Sequence, residues 1–113
     1  MIVTVTSITL RKPWGFFKLS LFGLKITLQL RREPGFVKML KTGSGLEHFT
    51  LTVWQSEADL RRFARQGAHL EAMKASKALA TETRTYTYET ATIPPWPEAK
   101  QLLAEQGKVI RYS

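Results

Sequence analysis

Two histidines supply the only imidazoles in 113 residues, and cysteine is absent. Thiolate nucleophiles, disulfide frameworks and Cys-type zinc sites are therefore excluded, and a site with two His ligands must combine His48 with His69. His69 is the more suggestive residue. It follows Gly67 at a break in a helical pattern, where an imidazole could move protons or ligate a haem iron. The competing role is a capping or surface histidine bonded to a backbone carbonyl. Trp54, Tyr86 and Tyr88 could line a pocket for a flat hydrophobic molecule, with rings supplying area and hydroxyls supplying orientation. Core or dimer-interface packing would use the same three residues. Arg84, two positions before Tyr86 on the same strand face, could receive a carboxylate or phenolate. Its competing role is a salt bridge at a subunit edge.

Other constellations are missing. Glu57, Asp59, Glu71 and Glu82 suggest no acid–base pair and no metal cluster, and the first two suit a helix N-terminal turn, where the dipole favours negative charge. There is no Gly-rich phosphate loop, nucleophile elbow or His-x-x-x-His pair. Arg61, Arg62 and Arg65 read as a solvated helix face without the interleaved aromatics of a nucleic-acid platform, so no nucleic-acid partner is expected.

The net charge is +8, with eight basic and two acidic side chains in residues 1–55, against nine and seven in residues 56–113. Such a field favours anionic partners without choosing among them, and it also serves solubility. Met1 to Leu10 lacks a basic leader region and reads as a strand. The most apolar window, Trp14 to Leu30, is short for a bilayer span and holds Lys18 and Lys25. A cytoplasmic, non-spanning protein is expected.

These residues must be positioned by a short series of elements. Ile2, Thr4, Thr6, Ile8 and Leu10 alternate with Val3, Val5, Ser7 and Thr9 in a first strand, which Pro13 ends. Trp14 to Arg32 is read as a helix on length. It carries two apolar stripes about 140° apart: Phe17, Leu21, Leu24 and Leu28 on one, Leu19, Phe22, Ile26 and Leu30 on the other. Both sides should be covered, one by the sheet and the other by a neighbouring helix, a partner subunit or lipid. Phe36 to Lys41 and Glu47 to Trp54 form two further strands around a Thr42–Gly45 turn. Ser56 and Asp59 make a capping box for a helix to about Gln66, with a second piece from Ala68 to about Ala80. Thr83 to Thr90 is a fourth strand. A stiff Pro94–Pro97 connector, a short helix to Gln106 and an extended Lys108 to Tyr112 close the chain.

The order β-α-β-β-α-β is ferredoxin-like α+β: an antiparallel sheet with helices on one face, in one domain over 1–113 with 91–113 as a C-terminal extension. Phe49, Leu51 and Val53 suit the helix-covered face. His48, Thr50, Thr52 and Trp54 are then expected on the open face, where two sheets stacked in a homodimer would enclose a chamber.

Thr50-Leu51-Thr52-Val53-Trp54-Gln55-Ser56-Glu57, followed by Phe63 two turns into the helix and preceded by Pro34-Gly35-Phe36, resembles the antibiotic-biosynthesis-monooxygenase group of dimeric α+β barrels. The stretch Gly67 to Met73 is similar to uncharacterised bacterial members and to the spheroidene-monooxygenase-like branch. The expected assembly is a homodimer of two ferredoxin-like units, each with a pocket between its sheet and its helices. Haem-degrading relatives carry Trp and His where Phe63 and Met73 stand, so that activity is not expected. Cofactor-free members carry an Asn where Thr50 stands.

The resulting expectation is a monooxygenase-like enzyme acting on a small hydrophobic, aromatic or isoprenoid substrate. Trp54, Tyr86 and His69 would orient it and move protons. Thr50, Arg84, Tyr88 and Phe63 would bind it. No cofactor is needed in the cofactor-free version, whereas a haem version would use His69 as iron ligand. The alternatives are a non-catalytic ligand-binding dimer, and a membrane-surface protein anchored by Trp14, Phe16 and Phe17 beside Arg11, Lys12 and Lys18.

Overall fold

Alternation of β-branched apolar residues with hydroxyl residues makes Ile2–Leu10 the central strand, β1. Pro13 stops it, and Gly15–Leu30 follows as helix α1. β2 (Phe36–Ser44) and β3 (Glu47–Trp54) form a hairpin, α2 spans Glu57–Ala64, and β4 spans Ala80–Glu89. A C-terminal helix α3 (Trp96–Gln106) and a short β5 (Lys108–Arg111) complete the order. The computed structural model describes residues 1–65, 74 and 77–112.

Among these, five strands form one antiparallel sheet in the order β2-β3-β1-β4-β5. The first four reproduce the ferredoxin-like arrangement, and β5 extends the β4 edge. β2 runs three residues beyond its expected end, because Gly43 stays paired opposite His48 and the reversal falls at Gly45, whose φ is +60°. Ser56 caps α2 as expected: its Oγ accepts from the Asp59 N–H at 3.2 Å and donates to Asp59 Oδ2 at 2.8 Å. Gly35, at φ +83°, makes room for that carboxylate; a β-carbon there would stand 2.1 Å from Asp59 Oδ2.

The two faces of the sheet are covered differently, and here the expectation is corrected. The face bearing His48, Thr50, Thr52 and Trp54 is not open: α1 and α2 lie over it, and Leu30 and Phe63 pack with Trp54. The more apolar face, with Val3, Val5, Leu51 and Val53, receives α3 through Ala99 and Leu103. The C-terminal helix expected to Gln106 is formed, and it packs on this face of the sheet. Val3, Val5, Leu51 and Val53 are fully buried with Ala99 and Leu103 of α3, whereas α1 and α2 leave a space over the threonines. The cavity therefore lies between the sheet and the helices of one protomer, where a pocket in each subunit was expected, and the mixed face does not need a second sheet to enclose it.

Of the two stripes on α1, Leu19, Phe22, Ile26 and Leu30 turn toward the sheet, with Leu30 fully buried. Phe17, Leu21, Leu24 and Leu28 remain exposed, so only one stripe is covered.

Candidate binding cavity

Period-two alternation and strand register build the floor of this chamber. Thr4 of β1 pairs with Thr52 of β3 and Thr87 of β4; Thr6 pairs with Thr50 and Thr85; Ile8 pairs with His48 and Thr83. Three rows of side chains therefore cross the sheet, and seven of the nine are threonines. Each presents a methyl and a hydroxyl. Thr4 and Thr87 join their hydroxyls at 2.9 Å.

The roof comes from Phe16, Leu19, Phe22, Ile26 and Leu30 of α1 and from Leu60 and Phe63 of α2. Between floor and roof lies a cavity of about 880 Å³, within the range of small-molecule sites. Lys41, His48, Glu57, Arg61 and Tyr112 also border it. Glu57 and Arg61 are joined to each other at 2.7 Å, and Lys41 Nζ lies 3.5 Å from Thr27 Oγ1.

Among the described residues, His48 is the imidazole at this wall. Its ring lies against Phe16, with centroids 5.2 Å apart and planes tilted by 30°. Nε2 is 3.1 Å from the Gly45 carbonyl oxygen. A carbonyl only accepts, so the neutral ring carries its proton on Nε2 and leaves the Nδ1 lone pair free to accept one. A β-carbon at position 43 would stand 2.9 Å from that Nδ1, so glycine keeps the approach clear.

The residues singled out by sequence are divided by the fold. Thr50 and Phe63 line the cavity. Trp54 sits behind it, fully buried, with ring centroids 5.3 Å from Phe63 and 5.6 Å from Phe36. The indole Nε1 has no hydrogen-bond partner among the described residues. Tyr86, Tyr88 and Arg84 share the opposite face, in register with Val5, Val3 and Ser7. The two tyrosine rings stack there at 5.2 Å, and Tyr86 donates to Gln106 Oε1 of α3 at 3.4 Å. Arg84 takes its competing role, an ion pair with Glu82 at 3.4 Å, and donates to the Ala104 carbonyl at 3.5 Å. A single pocket joining Trp54 to the two tyrosines is not formed, because Trp54 stands opposite Ile2 of β1 while the tyrosines stand opposite Val3 and Val5, and successive residues of a strand face opposite ways. Burial, then the carboxylate of Glu98 and the neighbouring Tyr86, raise the Tyr88 pKa. His69 and Met73 lie outside the described residues.

Sequence reasoning expected His48, Thr50 and Thr52 to line a chamber but gave His48 no chemical role, and it missed Lys41 and the threonines that β1 and β4 add to the floor. The threonine spacing was visible on each strand. Their assembly into one floor needed the register.

Among the described residues, no three His, Cys, Asp or Glu side chains gather in a metal-ligating group, and no helix is long and apolar enough to cross a membrane.

No family model matches the chain, and no curated protein matches it in sequence. Solved structures do match in fold. SnoaB, a cofactor-independent oxygenase from Streptomyces nogalater, is 22% identical with a TM-score of 0.66, over 83% of this chain and 96% of that one. A candidate antibiotic biosynthesis monooxygenase from Deinococcus radiodurans is 15% identical with a TM-score of 0.71, over 84% and 97%. Rv0793 from Mycobacterium tuberculosis is 15% identical with a TM-score of 0.71, over 84% and 100%. At these identities the likeness is one of fold, and function does not follow from fold.

Proposed function

We propose that this chain, which has the fold shared by antibiotic biosynthesis monooxygenase-like structures, is an oxygenase for a small, largely apolar substrate. The observation that carries the reading is the cavity itself: an apolar roof, a floor of threonine hydroxyls, and the His48 imidazole with a free Nδ1 at its wall. The substrate class is a flat aromatic or isoprenoid molecule bearing a carbonyl or phenol. Phe16, Phe22 and Phe63 take its apolar faces, and Thr50 and its neighbours bond its oxygens.

In this reading His48 Nδ1 removes a proton from a CH₂ group made acidic by a conjugated carbonyl. Threonine hydroxyls donate to the oxygen that gains charge. The carbanion passes one electron to dioxygen, and the two radicals combine into a hydroperoxide anion. The anion takes up a proton, and loss of water then leaves a carbonyl. One CH₂ becomes C=O, one O₂ is consumed and one H₂O is released. His48 takes the role that the sequence assigned to His69. Trp54 is a positioning residue, since it lies behind the cavity in a cluster with the lining residues Leu30 and Phe63. A haem version rests on His69, outside the described residues.

A homodimer belongs to this reading, with the second copy on the Tyr86–Tyr88 face beside α3, where both rings are only half-buried. Tyr86, Tyr88 and Arg84 would then serve assembly and not substrate binding.

The test pairs calorimetric binding with oxygen uptake, over a panel of anthrone-like, quinol-like and isoprenoid compounds. Binding with uptake of one O₂ per carbonyl formed is the expected result. Binding without oxygen uptake across the panel overturns the oxygenase and leaves a ligand-binding protein.

A further inference from the structure

The outward side of α1 carries a stripe that the cavity does not use. Trp14, just ahead of the helix, and Phe17, Leu21, Leu24 and Leu28 within it are 65%, 77%, 54%, 57% and 52% exposed. At 100° per residue they occupy an arc of about 80°, opposite Leu19, Ile26 and Leu30. No polar side chain of α1 falls inside that arc. Lys18 and Lys25 run along one edge of it. Lys12 lies 5.3 Å from the Trp14 ring at one end, and Arg31 and Arg32 follow the other. Residues 1–32 contain six basic side chains and no acidic one.

Five large apolar groups held in water on one helix face are costly, and their contiguity calls for an occupant. We infer that this face of α1 seats on an anionic phospholipid surface, with the helix lying along the bilayer plane. Trp14, Phe17 and the leucines enter the boundary of the acyl chains, and the lysines and arginines meet lipid phosphates.

Charge complementarity decides between occupants. A second copy docking through the same face by two-fold symmetry would set the basic set against itself. A protein interface of ordinary size also exchanges about ten hydrogen bonds, and this arc offers one side-chain donor, the Trp14 indole N–H, and no acceptor. A bilayer asks for none. The inference does not depend on the chemistry assigned to the cavity.

Flotation with phosphatidylcholine vesicles, with and without phosphatidylglycerol, tests it. The full chain is expected to float with the phosphatidylglycerol vesicles only, and less as salt rises. The double variant Lys18→Glu, Lys25→Glu should lower partitioning at least about twentyfold. Leu24→Ser with Leu28→Ser should abolish it. All four positions are exposed, and circular dichroism verifies that the fold persists. Absence of flotation with anionic vesicles, or flotation unchanged in both variants, overturns the inference. So does a dimer in sedimentation that Leu24→Ser converts to monomer, since a second copy would then own the face.

Discussion

His48 and Gly43 stand opposite each other across the β2–β3 ladder, with no space for a side chain at position 43. A β-carbon there would lie 2.7 Å from the Glu47 carbonyl oxygen and 2.9 Å from His48 Nδ1, at a backbone φ of +148°. Gly43→Ala is therefore expected to destabilise the protein by about 1–3 kcal/mol, read from the midpoint of urea unfolding. It should also reduce oxygen uptake more than binding, by obstructing Nδ1.

His48→Phe separates the chemistry from the packing. The phenyl ring can keep the contact with Phe16, while the proton acceptor is lost. Ligand affinity should change little. The rate of oxygen consumption should fall by about 10²–10⁴-fold if His48 is the general base. A variant that retains its rate at saturating substrate would assign proton removal elsewhere.

Thr50→Val keeps the shape of the cavity floor and removes one hydroxyl from the row it shares with Thr6 and Thr85. Stability should shift by less than about 1 kcal/mol. Affinity for a carbonyl-bearing ligand should drop about fivefold, and affinity for the matching hydrocarbon should not. Equal losses for both would deny the hydroxyl a part in recognition.

Tyr88 connects pH to stability on the far face. Burial, with Glu98 and Tyr86 acting in the same direction, raises its pKa above the ordinary 10.0. The folded state holds the proton more firmly than the unfolded one. Stability linked to this group is thus intact below pH 10 and is lost as pH climbs through the raised value. Thermal unfolding from pH 9 to 11 should show an alkaline decline that is shallower in Tyr88→Phe.

Much of the fold was legible one segment at a time. Strand alternation in Ile2–Leu10 and Glu47–Trp54, the capping box at Ser56 and the proline-opened helix after Pro94 depend on neighbours a few residues away. Local sterics and hydrogen bonding settle such features. The site was legible only in part. Thr50 and Phe63 reach the cavity; Tyr86, Tyr88 and Arg84 do not, although they follow one another as regularly as any lining would.

The chain's own order of residues decided which positions share a face of each strand, which turns need glycine, and that α1 is apolar on two sides. Only the tertiary structure decided which sheet face those helices cover. That choice depends on how α1, α2 and α3 divide the available apolar area, a competition among elements far apart in sequence. α3 took the smooth valine and leucine surface, where close packing gains most. α1 and α2 were left over the threonines, and the space they could not fill is the cavity.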